Sequence, residues 1–143
     1  MKIQKEGSAA WQGTLKEGGG TVSTQSGALS EIPYGFNTRF SGAKGTNPEE
    51  LLGATHASCF TMALSLILGE AGFTAERMET KANVTLEKKE DGFEITGIQL
   101  TLRGNVPGID PAKFQELANK AKLGCPISKV LKAPVVLDAQ LEK

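Results

Sequence analysis

The sequence predicts an α+β fold, and three observations lead to it. A Gly-, Ser- and Thr-rich opening reads as short strands and loops. A long apolar helix follows. Behind it come a period-two hairpin, a second helix and a final strand. Strands and helices are segregated instead of alternating as βαβ units, which separates α+β from a parallel α/β sheet. With 143 residues, the chain suits a single domain, 1–143, with a sizeable core.

The stretch from Gly13 to Gly45 holds one proline, Pro33, and is where a ligand-contacting loop is expected. Next, Asn47 is placed to cap a helix. Pro48 suits its first position, and Glu50 completes a capping-box pattern. Gly72 can end it. From Ala57 to Leu68 the apolar residues run nearly all the way round, predicting a helix buried on most sides. A domain of this size does not surround so long a helix by itself, which points to a partner subunit.

The hairpin rests on Met78, Thr80, Ala82, Val84 and Leu86 alternating with polar neighbours, with a turn at Asp91-Gly92. On the return strand the apolar phase changes at Gly97, which predicts a bulge. Asp110-Pro111 opens a second helix, whose apolar face is Phe114, Leu117, Ala118 and Ala121. It stops near Gly124. Cys125 and Pro126 start a short helical turn through Leu131. Val135, Leu137, Ala139 and Leu141 then alternate as a last strand.

Composition narrows the function. Sixteen basic and sixteen acidic residues cancel, which argues against nucleic acid or an anionic membrane as a partner. Leu51 to Gly69 carries no Asp, Glu, Lys or Arg and approaches the length of a membrane span. Its flanks are acidic, however, and it includes His56 and several hydroxyl residues, so it is read as a core helix. The start, MKIQKEGSAAW, lacks a signal peptide's apolar run, and two cysteines are too few for a disulfide-rich secreted scaffold. The expected compartment is the cytoplasm, where a transient disulfide is allowed and a lasting one is not expected.

The candidate chemistry lies in the two thiols. Cys59 is mid-helix, where the helix dipole helps it little. In apolar surroundings its pKa rises, and it is inert unless a cation or base is supplied. Cys125 stands at the start of a short helix, where backbone N–H groups favour a thiolate. That suits a resolving thiol, and on the residues alone the roles of the two can be exchanged. His56, one turn before Cys59, is the only histidine and offers a Cys–His nucleophile pair. His56, Cys59 and Cys125 make three potential metal ligands without paired spacing, so neither a metal nor a cofactor is expected. Glu50 has a capping role, whereas Glu49 is free to hold a cation, and Arg39 is the nearest upstream candidate.

The segment TNPEELLGATHASCF, Thr46 to Phe60, together with GCPIS, Gly124 to Ser128, resembles the OsmC/Ohr family of organic hydroperoxide peroxidases. The region from Trp11 through TVSTQSGAL and PYGFNTRF is similar to its OsmC branch, and the resemblance covers essentially the whole chain. It implies an OsmC-like fold: a long buried central helix and a second helix packed on antiparallel-rich sheets, in an intertwined homodimer. It implies Cys59 as the peroxidatic cysteine, Cys125 as the resolving one, and Glu49 paired with an active-site arginine. The Ohr branch carries that arginine in an early Gly-Arg loop, where this chain reads Leu15-Lys16-Glu17-Gly18, so Arg39 takes the place. By this resemblance the partners are an organic hydroperoxide and an external dithiol, and apolar Leu51, Leu52, Phe60 and Phe36 favour organic peroxides.

Helix geometry adds a constraint. Ten residues of straight helix rise about 15 Å, so Glu49 cannot reach the Cys59 of its own helix. Either the helix breaks, or Arg39 and Glu49 serve the cysteine of a second subunit. Three other readings stay open: a Cys59–His56 hydrolase or transferase, a binder of small apolar ligands with packing cysteines, and a structural Cys59–Cys125 disulfide.

Overall fold

The structure, a computed structural model, describes residues 1–142. Apart from one added helical turn before the long helix, the element order is the expected one. The chain gathers into two compact units, Met1–Leu51 and Leu52–Lys143.

In the first unit β1 (Gly7–Gln12), β2 (Gly19–Thr24) and β3 (Ile32–Tyr34) form an antiparallel sheet in sequence order. The Arg39 segment is a helical turn, α1 (Phe36–Phe40), where a loop is expected. Thr38 explains the winding: its Oγ1 accepts from the Gly35 amide at 2.8 Å, and its hydroxyl donates to the Gly35 carbonyl at 2.9 Å. The chain then returns to the sheet, where the Thr46 amide donates to the Pro33 carbonyl at 2.9 Å. Gly45 makes that return with φ 134°, and a Cβ there would lie 2.4 Å from the Pro33 oxygen, so only glycine fits.

The long helix α2 (Pro48–Glu70) has the predicted ends. Asn47 Oδ1 accepts from the Glu50 amide at 2.8 Å. At the other end the Phe73 amide donates to the Leu68 carbonyl at 2.8 Å and the Gly72 amide to the Gly69 carbonyl at 3.0 Å, with Gly72 at φ 89°. That double closure is a Schellman motif. Within one chain the buried positions are Gly53, His56, Phe60, Leu64 and Leu68, a single stripe at helical spacing. Met62 and Leu66, apolar on another side, are 75% and 65% exposed. By length and composition α2 could cross a membrane; within the chain its buried stripe joins the core.

In the second unit β4 (Arg77–Lys89) and β5 (Gly92–Asn105) form the hairpin. The tight turn is Glu90-Asp91, one residue earlier than expected, with Gly92 opening β5 at φ 127°. Thr85 pairs with Gly97 and Leu86 with Ile95, so Thr96 bulges out. The bulge lies where the apolar phase changes: Phe93 before it is exposed, and Ile98, Leu100 and Leu102 after it are buried. β6 (Val135–Leu141) adds in parallel beside β5. A helix laid on one face accounts for that direction: α3 (Pro111–Gly124) and α4 (Pro126–Val130) form the crossover.

The stripe of α2, the inner face of β5 and Phe114, Leu117, Ala118 and Ala121 of α3 form one core. α2 lies close on β4, since a Cβ at Gly53 would sit 3.0 Å from the Ala82 carbonyl oxygen. Each fully buried Leu or Phe contributes about 1.5–3 kcal/mol. His56 is the polar member of this buried stripe, and burial lowers its pKa below the ordinary 6.5.

Two expected outcomes follow from these contacts. Asp110 caps α3 by accepting from the Lys113 amide at 2.9 Å, and Asp110→Ala should lower the free energy of unfolding by about 1 kcal/mol in urea titrations. The unfolded chain protonates His56 near 6.5 whereas the folded chain resists it. Its contribution to stability is therefore complete above that pH and is lost as pH falls below it. His56→Gln should flatten this part of a pH–stability profile, and an unchanged slope would contradict the assignment.

Candidate active site

Cys59 lies on α2, one turn past His56, and is half-buried, less enclosed than its apolar surroundings in sequence imply. Cys125 is fully buried at the joint between two helices. Its amide donates to the Ala121 carbonyl at 2.9 Å, closing α3, and its carbonyl accepts from the Lys129 amide at 3.2 Å, opening α4. Pro126 follows at the first helical position, where a missing N–H costs nothing. The two thiols are unbonded and face each other.

Their environments differ. Burial pushes the Cys59 thiol up, the Ile127 amide opposes this, and the adjacent Cys125 adds to the rise. Burial also pushes Cys125 up, but the Ser128 amide, the Cys59 thiol, the Ser128 hydroxyl and the Ile127 amide together bring it below its ordinary value. Cys125 occupies the N-cap of α4, so the second and third helical amides, of Ile127 and Ser128, are aimed toward its sulfur. Neither closes a formal cap hydrogen bond, and their influence is that of partial positive charge at a helix start. Negative charge in this unit therefore favours Cys125. A positive group brought beside Cys59 would favour its thiolate.

His56 is not that group. Its Nε2 lies 2.7 Å from Ser128 Oγ, and its Nδ1 is buried without a partner. The Cys59–His56 nucleophile pair is thus not formed, because the ring is turned to the α4 corner.

The other two candidates meet in the first unit. Arg39 Nε donates to both carboxylate oxygens of Glu49, at 2.9 and 3.1 Å, and its Nη2 donates to Oε1. A two-pronged, charge-assisted contact of this kind fixes the guanidinium plane. The Glu49 side chain is 11% exposed and that of Arg39 36%. Glu50 is engaged separately: its Oε2 accepts from the Thr46 hydroxyl at 2.8 Å while its amide is capped by Asn47. Beside Arg39 opens a pocket of about 90 Å³ lined by Trp11, Leu15, Tyr34, Phe36 and Phe40, among others.

The sequence thus marks four residues that the structure joins as two pairs, Cys59 with Cys125 and Arg39 with Glu49. Of the apolar residues named beside Cys59, Phe60 is fully buried in the core and Phe36 lines the Arg39 pocket. Ser128 belongs to the GCPIS segment, and its place one helical turn after Cys125 is the signal in the sequence that sets it beside that thiol. Trp11, Tyr34 and Phe40 fall in the region of family resemblance, but widely separated aromatics give no local pattern that would bring them together around Arg39. Among the described residues no three His, Cys, Asp or Glu side chains gather to hold a metal ion.

Residues 41–140 match the model of the OsmC-like protein family. The chain is 59% identical over 142 residues to peroxiredoxin OsmC of Escherichia coli (strain K12), covering 99% of each. It is similar to the crystal structure of the organic hydroperoxide resistance protein OhrB of Bacillus subtilis, with TM-score 0.71 at 30% identity over 98% of each chain. An OsmC-like protein from Mycoplasma pneumoniae shares the fold, with TM-score 0.76 at 17% identity over the full length of both. With the family model covering most of its length and that identity running end to end, the chain belongs to the OsmC-like family.

Proposed function

We propose that this protein is a thiol peroxidase that reduces organic hydroperoxides to alcohols and so protects against oxidative stress. One observation carries the reading: two free thiols, one half-exposed and one buried, face each other in a chain 59% identical to a peroxiredoxin. The Cys59 thiolate attacks the distal peroxide oxygen, forming an S–O bond as the O–O bond breaks. The alkoxide leaves and takes a proton to become the alcohol, and Cys59 becomes a sulfenic acid. Cys125 condenses with it to a disulfide, and an external dithiol reduces that disulfide by exchange. The cytoplasm, which supplies such dithiols, is the proposed setting.

Arg39, held by Glu49, is the proposed cation that lowers the Cys59 pKa and orients the peroxide. Its aromatic-lined pocket suits a substrate with an apolar tail, which supports organic hydroperoxides over hydrogen peroxide. The proposed assembly is an intertwined homodimer in which Arg39 and Glu49 of one copy serve Cys59 of the other. Two features support it. α2 runs as one helix from Pro48 to Glu70, which favours a shared site over a helix break, and its exposed Met62 and Leu66 give a second copy an apolar face to cover.

Consumption of cumene hydroperoxide with a dithiol tests the reading. Cys59→Ser should abolish turnover, whereas Cys125→Ser should still consume the first equivalent of peroxide. Turnover persisting in Cys59→Ser would overturn the role of Cys59. Arg39→Gln should slow Cys59 oxidation roughly a hundredfold, the scale for losing one preorganised charge-stabilising group. Met62→Glu with Leu66→Glu should give a monomer in sedimentation and remove activity with it. A fully active monomer would contradict the shared site.

A further inference from the structure

The mechanism above leaves unused one fully buried polar group, His56, and its partner Ser128. We propose that His56 and Ser128 are positioning residues that hold Cys125 ready for disulfide closure, through a directed donor chain from His56 Nε2 to Ser128 Oγ to Cys125 Sγ. The inference rests on the peroxidase reading for its consequence, but not for its geometry.

The direction of the chain follows from which atoms are satisfied. His56 Nδ1 is buried without a partner. A proton there would be a stranded donor, while an imidazole bearing its proton on Nε2 leaves only a bare lone pair. Burial lowers the His56 pKa, so the ring is neutral near pH 7 and carries a single proton. Nε2–H therefore donates to Ser128 Oγ across the 2.7 Å contact. With its oxygen accepting, the serine keeps its own proton for another group. Ser128 is the third residue of α4 and Cys125 its N-cap, so the two side chains stand one helical turn apart on the same side of α4. The Ser128 hydroxyl acts there to favour the Cys125 thiolate. One helix thus carries both the peroxidatic thiol and, one turn earlier, the residue that orients the donor to the resolving thiol.

The step affected is condensation. The Cys125 sulfur attacks the sulfenic sulfur of Cys59, the S–S bond forms and the S–O bond breaks. The departing hydroxide leaves as water, taking up the proton that the Cys125 thiol has shed. A donor to the Cys125 thiolate keeps the attacking form populated and the sulfur aimed. The same donor steadies Cys125 as the leaving thiolate when an external thiol attacks the disulfide at Cys59.

Two measurements test this. In a Cys59→Ser background, thiolate absorbance titrates Cys125 alone. Ser128→Ala and His56→Leu should each leave about tenfold less thiolate at neutral pH, the scale of one lost charge-assisted hydrogen bond. His56→Gln, which offers an amide N–H at similar reach, should restore it. In the protein with both cysteines, one equivalent of cumene hydroperoxide followed by dimedone trapping should show a sulfenic acid living about tenfold longer in Ser128→Ala. Unchanged Cys125 titration in folded Ser128→Ala overturns the proposal, and that variant decides alone should His56→Leu fail to fold. If the parent consumes no peroxide, the peroxidase reading falls, while the titration still decides the donor chain.

Discussion

Closing the proposed disulfide demands that two sulfurs meet with their backbones in a narrow range of separation, and in the unit Leu52–Lys143 the two thiols already lie together. One thiol is on a helix and the other at a corner between two more, so α2 must lie beside the end of α3. The contact is held from below by β5, whose Ile98, Leu100 and Leu102 join Phe60, Leu64 and Leu68 of α2 with Phe114 and Leu117 of α3 in one core. The bulge at Thr96 serves the same end. Without it, the phase that buries these three β5 residues would not follow from the phase of the turn-proximal half.

The electrostatics divide the labour between the thiols. Helix-start amides and the Ser128 hydroxyl favour charge on Cys125, which suits a sulfur that must attack and later leave. At Cys59 burial outweighs the Ile127 amide and the thiol is raised, so in the proposed mechanism its activation depends on an external cation. An arginine fixed by a carboxylate has that character: Glu49 orders Arg39 with two prongs while leaving the guanidinium partly open. In the proposed dimer, assembly and activation are one event, since an unassembled chain keeps its nucleophile in the protonated, unreactive form.

Much of this was legible in the residues. Asn47, Pro48, Glu50 and Gly72 mark the ends of α2 because capping is a local matter, decided within a few residues. Alternation and its break at Gly97 gave the hairpin and its bulge for the same reason. Less legible was which face of α2 a single chain covers, because an all-round apolar helix has no periodic signal to read. The parallel direction of β6 depends on the crossover and not on the strand's own pattern. Spacing sets His56 beside Cys59, its neighbour in sequence, yet it turns to Ser128, 72 residues away. Long-range pairings of buried polar groups are set by tertiary packing, and no spacing rule announces them.

The corner at Cys125 has one more consequence. Its amide is tied back to Ala121 and its carbonyl forward to Lys129, so its backbone is clamped from both directions. Rotation about the side-chain bonds remains the freedom by which that sulfur can approach another. In the proposed cycle, oxidation at this corner is then a turn of side chains within a fixed frame. A reducing partner meeting this corner would have little change of backbone shape to read there. It must recognise the sulfur–sulfur bond by its chemistry.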